Sequence, residues 1–291
     1  MVVYVDALTR HIVGRRLERL TLHSPFVLRT VDPPIDTLRG RLVHGARRIG
    51  KRIVLVFDDD EDLFLVMHLM IAGRLRWREP GKKPGMGPKL ILASFVFEPG
   101  TLWFTEASSK KRASLQLVRG ATALGALDPG GVEPLDATRT QFHEALTRES
   151  HTLKRALTDP HVFSGIGNAY SDEILHAARL SPLTLSRSLT DGEVGRLSDA
   201  TRSTLRSWVE RLRTEVGAGF PERVTAFRVG MSVHGRFKLP CPVCGKAVQR
   251  IVYATNECNY CATCQTNGRL LADRSLSRLL KGDWPRSIDE V

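Results

Sequence analysis

The spacing of apolar residues changes along the chain from the period of strands to the period of helices. Before about residue 120, short β-branched or aromatic runs alternate with turn-forming Asp, Gly and Pro residues. These runs predict strands at 18–30, 52–57, 63–69, 73–78, 90–98 and 101–105. Regular short strands of this kind indicate a sandwich or a barrel, and residues 2–12 ahead of them predict a short helix.

Helical periodicity dominates the second half. Apolar residues recur three and four positions apart and predict helices at 138–148, 152–158, 168–178 and 191–216. The sequence therefore predicts an α+β chain. Its expected parts are an N-terminal β-sandwich with a flanking helix (1–120), a Gly- and Pro-rich linker (121–136), a helical domain (137–230), a cysteine-bearing hairpin module (231–268) and a C-terminal extension (269–291) with a helix at 269–280.

The charge balance indicates a polyanionic partner. The 291 residues include 43 Lys and Arg against 31 Asp and Glu, a formal net charge of +12. Nucleic acid is favoured over a membrane surface, because the chain has no amphipathic anchor and no apolar stretch near the ~20 residues that span a bilayer. The N-terminus also lacks a secretion pattern. We expect a monomer located in the cytoplasm and associated with the nucleoid.

All five cysteines fall between residues 241 and 264. Cys241-Pro-Val-Cys244 and Cys261-Ala-Thr-Cys264 are separated by 16 residues, which is the spacing of a four-cysteine zinc ribbon. Pairing Cys258 with Cys261 would leave only 13 residues between the pairs, so Cys258 is predicted to be a bystander. Residues 246–257 predict a hairpin with its turn near Ala254–Asn256. Free thiols on a surface hairpin are the alternative to a zinc site.

A glycine-rich turn precedes the predicted helix at residue 168. Gly165-Ile-Gly167 allows close approach of a ligand, and the first N–H groups of a helix attract anions. Asn168 adds a side-chain amide at this helix start, and Lys154 on the preceding helix adds a charge. These residues predict a phosphate-binding site. Taken alone, the glycine pattern also fits a plain helix-loop-helix.

Two sequence motifs, which follow one another along the chain, resemble those of a known protein family. The stretch from Ser164 to Leu175, followed by Leu180-Ser-Pro182 and the cysteine pairs, resembles the formamidopyrimidine-DNA glycosylase/endonuclease VIII family. The similarity extends to Gly50-Lys51-Arg52, His68-Leu-Met-Ile-Ala-Gly73 and the linker 128–134. The resemblance implies a sandwich lobe, a helix-two-turn-helix domain with a zinc-bound hairpin, and double-stranded DNA in the cleft between them.

The resemblance also implies an activity, that of a base-excision DNA glycosylase and abasic-site lyase. In this family a damaged base is flipped out of the duplex, an amine attacks C1′ of its sugar, and the Schiff base allows strand cleavage by β-elimination. By position, Lys51 resembles the active-site lysine, and Lys154 and Asn168, beside Gly165 and Gly167, resemble the phosphate contacts. The ligands of one structural Zn²⁺ per chain would be Cys241, Cys244, Cys261 and Cys264.

The opening residues depart from the family pattern. Family members begin with Pro-Glu, whose proline amine is the nucleophile, whereas this chain opens Met1-Val-Val. One interpretation is a start assigned at an internal GTG valine codon, with Pro-Glu encoded upstream. The other is a non-catalytic protein of the same fold that binds lesions or abasic sites, with Lys51 forming at most a slow Schiff base. A zinc-ribbon regulator is a third interpretation, which leaves Lys154 and Asn168 unexplained.

Two DNA-facing positions also depart from the pattern. Asn256 stands where the family hairpin carries an arginine, so Arg250 on the same hairpin is the candidate DNA contact. The loop that normally fills the gap left by the flipped base, 106–112, is basic but has no aromatic residue. Ile71, on the turn after a strand, is therefore the predicted filler.

Overall fold

The computed structural model describes residues 1–58, 62–222, 224–225, 227–253, 256–272 and 287–290. The chain divides into two compact units. The first unit comprises Met1–Pro129 with Val209–Val224, and the second comprises Gly130–Trp208 with Thr225–Val291. The change of unit after residue 129 falls inside the predicted linker, and the finer division into five parts stays a prediction.

The first unit contains a helix and two antiparallel sheets. Its elements are α1 (Val2–Ile12), β1 (Arg19–Leu22), β2 (Leu42–Ile49), β3 (Arg52–Asp58), β4 (Leu63–His68), β5 (Gly73–Arg78), β6 (Ile91–Phe97), β7 (Gly100–Glu106), β8 (Ser114–Arg119) and α2 (Gly120–Gly125). The strand orders are β1-β6-β7-β5 and β2-β3-β4-β8. Side chains of both sheets, such as Leu55 and Phe104, share one core.

Helix α1 packs against that core through one stripe. Tyr4, Leu8 and Ile12 lie four residues apart, so they share a face of the helix, and all three are buried. Burying a side chain of this size contributes roughly 1.5–3 kcal/mol. The predicted N-terminal helix and β-sandwich are confirmed.

Three details of the strand prediction are wrong, and two of them have local causes. The predicted strand 18–30 ends at Leu22, because Pro25 opens a short 3₁₀ turn. Strand β2 was not predicted, since its basic and glycine residues obscure the alternation of apolar and polar positions. Its pairing with β3 also shifts register next to Gly45. Strand β8 was also missed, although its residues alternate apolar and polar.

The second unit is helical and ends in a hairpin. Its elements are α3 (Arg139–Thr147), α4 (Leu153–Thr158), α5 (Asn168–Ala178), most of α6 (Asp191–Val216), β9 (Gln249–Val252), β10 (Glu257–Tyr260) and α7 (Ala262–Thr266). Phe142 and Phe163 stack in its core with ring centroids 4.5 Å apart. These elements confirm the hairpin and the helices predicted at 138–148, 152–158, 168–178 and 191–216. The helix predicted at 269–280 is not formed at 269–272, where Arg269 instead pairs with Ser287. Residues 273–280 of that helix and 254–255 of the predicted turn lie outside the described residues.

No helix in the described ranges combines the length and the apolar character that crossing a bilayer requires.

Candidate functional site

Lys51 lies on the tight turn between β2 and β3. Ile49 pairs with Arg52, so Gly50 and Lys51 form a two-residue hairpin loop. Gly50 has a φ of +56°, which suits glycine at the first loop position. Lys51 is exposed, yet neighbouring protein removes part of the water around its ammonium and lowers its pKa. A lowered pKa leaves more of the amine in the neutral, nucleophilic form.

His68 stands next to this turn and was not singled out from the sequence. It pairs with Arg52 across β3 and β4. Its pKa is lowered by burial first, and then by the positive charges of Arg52 and Lys51. Lys51 and Arg52 therefore make this end of the sheet electropositive, which suits a phosphate or another anion, and His68 lies beside them.

The turn after β4 presents Ile71 to solvent. Ile71 is 82% exposed and follows Met70, whose φ is +52°. The Gly73 N–H donates to the Leu69 carbonyl at 2.8 Å, and a Cβ on Gly73 would lie 2.2 Å from that oxygen. Glycine is therefore required for this turn. The structure places Ile71 as an apolar tip, and its role as a filler stays a prediction.

The basic loop 106–112 is anchored by a buried carboxylate. Glu106 is almost fully buried, and its Oε2 accepts from the Arg112 and Ala113 N–H groups at 3.0 and 3.1 Å. The Lys111 ammonium donates back to the Glu106 carbonyl. Glu106 thus fixes the base of the loop, a role that its sequence position does not reveal.

The start of α5 is held to the hairpin. Gly165 has a φ of +81°, and Gly167 caps the helix, so that Asn168 is its first residue. The first N–H groups of a helix lack intrahelical partners and favour a bound anion. The Asn168 amide donates one hydrogen bond to the Glu257 carbonyl on β10 at 2.9 Å, which fixes the direction of the side chain.

Lys154 lies beneath this helix start with its ammonium enclosed by protein. The residue is only 7% exposed. Nζ donates to the Asn168 carbonyl at 2.8 Å, to Ser171 Oγ at 2.7 Å and to Asp172 Oδ1 at 2.5 Å. These three acceptors match the three N–H groups of an ammonium. The structure therefore brings Lys154 to the predicted place, but not in the orientation of a direct phosphate contact.

Asp172 extends this network to a third segment. Its side chain is fully buried, and its second oxygen, Oδ2, lies 2.7 Å from His234 Nδ1. The neighbouring Glu173 carboxylate accepts from the backbone N–H groups of residues 232–234 at 2.7–2.9 Å. Helix α5 thus holds the segment that leads into the cysteine module.

Arg250 is engaged within the hairpin module. Its guanidinium lies 4.2 Å from the centre of the Phe237 ring and 3.2 Å from the Glu257 carboxylate. Its side chain nonetheless remains partly exposed on β9. Arg250 is therefore a surface cation whose side chain is held by Phe237 and Glu257. Its contact with DNA stays a prediction.

The four predicted metal-ligand cysteines lie together. Cys244 Sγ is 3.3 Å from Cys261 Sγ, and Cys241 Sγ is 3.9 Å from Cys264 Sγ. Cys258 packs elsewhere, in the small core around Ile251 and Tyr260. The ligand atoms of His176, Cys241, Cys261 and Cys264 all lie within 4.8 Å of one another, so this cluster can hold a metal ion.

His176 is the member of this cluster that the sequence did not reveal. It lies on α5, 65 residues before Cys241, and its Nε2 is 3.3 Å from Cys241 Sγ. A lone histidine on a helix gives no sign of such a contact, because the partner depends entirely on how the chain folds.

Comparisons with known proteins identify the same family along most of the chain. Family models for the formamidopyrimidine-DNA glycosylase N-terminal domain and H2TH domain match residues 1–110 and 131–218. A formamidopyrimidine-DNA glycosylase of Desulforamulus reducens is 31% identical over 272 residues, which are 90% of this chain and 95% of that protein. An uncharacterized formamidopyrimidine-DNA glycosylase-like protein of Mycobacterium tuberculosis is 42% identical over 151 residues, 52% of this chain and 94% of its own length.

Solved structures show the same fold. MutM in complex with DNA containing carbocyclic 8-oxo-G matches with a TM-score of 0.79 at 21% identity, covering 91% of this chain and 97% of that chain. Lactococcus lactis Fpg bound to DNA with an abasic site also matches with a TM-score of 0.79, at 22% identity and the same coverage. Together with the sandwich, the helical unit and the cysteine cluster, these matches show that the chain belongs to the formamidopyrimidine-DNA glycosylase family.

Proposed function

We propose that this protein is a base-excision DNA glycosylase and abasic-site lyase that acts on duplex DNA carrying damaged bases or abasic sites. The anchored start of α5 is the observation that carries the proposal. There the Asn168 amide is oriented by Glu257, and the N-terminal end of the helix adds a fixed positive potential. A helix start of this kind is suited to bind a phosphate of the DNA backbone. The relative from Desulforamulus reducens is a formamidopyrimidine-DNA glycosylase. A chromosomal substrate implies a cytoplasmic, nucleoid-associated location.

The group around Lys51 supports the chemical part of the proposal. An amine that attacks C1′ must be neutral, and the lowered pKa of Lys51 favours that form. Burial and the same neighbouring charges lower the pKa of His68 and favour its neutral form, so it adds a hydrogen-bonding group rather than a third charge. In this proposal Lys51 contacts the lesion sugar, and Asn168 contacts a phosphate.

The metal of the cysteine cluster is proposed to be one Zn²⁺ per chain. A tetrahedral site with Zn–S bonds of about 2.3 Å has S···S edges of about 3.8 Å. The observed S···S separations of 3.3 and 3.9 Å are close to such edges. Cys241, Cys244, Cys261 and Cys264 would hold the ion, which supplies structural stability to the hairpin module rather than chemistry.

Ile71→Ser is expected to lower the preference for damaged DNA without lowering stability. A side chain that is 82% exposed contributes little to folding, whereas an apolar tip inserted beside an extruded base replaces lost stacking. Competition binding of abasic-site and intact duplexes should show the ratio of their affinities falling about tenfold, the equivalent of ~1.4 kcal/mol. The melting temperature should not change.

Val31→Ser is the matched control, because Val31 is an apolar residue of the same unit that is 92% exposed. It should leave the affinity ratio unchanged. Equal ratios for the parent and the Ile71 variant would remove Ile71 from the proposed interface.

A further inference from the structure

Helix α5 carries a buried polar face toward the hairpin module. Asn168, Asp172 and His176 are spaced four residues apart, so their side chains lie on one face of the helix. Each has a separate polar partner: Glu257 on β10, the Lys154–His234 pair, and Cys241 in the cysteine cluster. The cysteine cluster is therefore tied directly to the helix that begins at the proposed phosphate site.

We propose that His176 is a positioning residue of the metal centre that donates a hydrogen bond from Nε2 to the Cys241 thiolate. This inference rests on the proposed zinc site. His176 then lies beside the metal without binding it, and the four cysteines are the ligands of the metal.

The number of thiols at the site favours a hydrogen-bond donor over a fifth ligand. The four thiols already supply a tetrahedral set, with Cys244 in contact with Cys261 and Cys241 near Cys264. His176 Nε2 lies 3.3 Å from Cys241 Sγ, a normal distance for an N–H···S hydrogen bond. His176 is 6% exposed, and a ring nitrogen buried to this extent needs a polar partner.

The negative charge of the metal centre explains why a hydrogen-bond donor is favourable beside Cys241. Four thiolates around one Zn²⁺ leave two excess negative charges in a largely buried site. A hydrogen bond from His176 disperses part of that charge at Cys241, and a donor of this kind also fixes the orientation of the ligand. The same bond connects the metal to α5 and, through the body of the helix, to Asn168.

The test compares His176→Phe with His176→Gln. Phenylalanine keeps the ring volume without a donor, whereas glutamine places an amide N–H near the position of Nε2. The zinc-loaded proteins are mixed with an excess of a chromogenic chelator, and the rate of zinc transfer is followed. We expect release from the Phe variant to be about 10–100 times faster than from the parent, and release from the Gln variant to stay near the parent rate. Should the Phe variant fail to fold, His176→Leu replaces it in the same comparison.

Cobalt substitution separates a donor from a ligand. The Co²⁺-loaded parent and Phe variant are expected to share the intense absorption of an all-thiolate tetrahedral site. A parent spectrum of mixed nitrogen and sulfur coordination that changes in the Phe variant would overturn the inference, because His176 would then be a ligand. Equal zinc-release rates for parent, Phe and Gln variants would overturn it while leaving the zinc site intact. A parent chain that binds no metal would instead overturn the proposed site itself.

Discussion

Cys264→Ser is expected to abolish stoichiometric zinc binding and most of the DNA affinity. Structural Zn²⁺ bound by thiolates contributes apparent free energies of about 10–16 kcal/mol in small modules, so removing a ligand unfolds the module rather than weakening it. Cys264 Sγ lies 3.9 Å from Cys241 Sγ, within the proposed ligand set. Metal analysis of the purified variant and titration with an abasic-site duplex measure the two losses.

Cys258→Ser is the matched control for that loss. Cys258 packs among apolar side chains of β9 and β10, and burial raises its pKa, so it is an inert thiol. The variant is expected to keep one zinc per chain and to lose at most a modest amount of stability. Loss of zinc in this variant, with retention in Cys264→Ser, would show that the ligand pairs are assigned wrongly.

Lys154→Met is expected to reduce the free energy of unfolding by about 3–5 kcal/mol, because it leaves the fully buried Asp172 carboxylate without its cation. Chemical denaturation measures this change. Adding Asp172→Asn should restore part of the loss, since the uncompensated charge is then gone. A Lys154→Met protein as stable as the parent would contradict the buried network.

The salt dependence of DNA binding by the same variant separates a positioning role from a phosphate contact. Each phosphate contact contributes about 1 to the slope of log K against log salt concentration. The enclosed ammonium of Lys154 predicts weaker binding with an unchanged slope, as Asn168 loses its support. Arg155→Met, at the exposed neighbouring position, controls for the loss of a nearby charge. A slope lower by about 1 in Lys154→Met, but not in the control, would show that Lys154 contacts a phosphate directly.

Much of the fold was predictable because its signals are local. Helix α5 begins at Asn168, where Gly167 ends the preceding loop, and α6 has the bounds that its apolar periodicity predicts. The cluster of four cysteines was also predictable, because two Cys-x-x-Cys pairs constrain one another in sequence. In both cases the informative residues lie within a few positions of the feature that they define.

The polar contacts of the site depend on the fold and were missed for that reason. Asp172, Glu173 and His176 appear in the sequence as the solvated face of a helix, yet all three are buried. Their partners lie about 60 residues or more away along the chain, at His234, the backbone of 232–234 and Cys241. Lys154 was placed correctly near the helix start, but its orientation is set by an aspartate whose burial no local pattern reveals.

Borohydride trapping on a duplex with one abasic site tests the proposed lyase chemistry most directly. Hydride reduces the imine between a protein amine and C1′ to a stable link, and peptide mapping identifies the amine. We expect the chain that opens at Met1 to be trapped weakly, through Lys51, with a yield that rises with pH and is absent in Lys51→Met. We expect strong trapping through the N-terminal proline when an extension that begins with Pro-Glu precedes Met1. If both proteins bind the duplex and neither forms an adduct, the proposed lyase chemistry is contradicted, and the protein binds lesions without cleaving them.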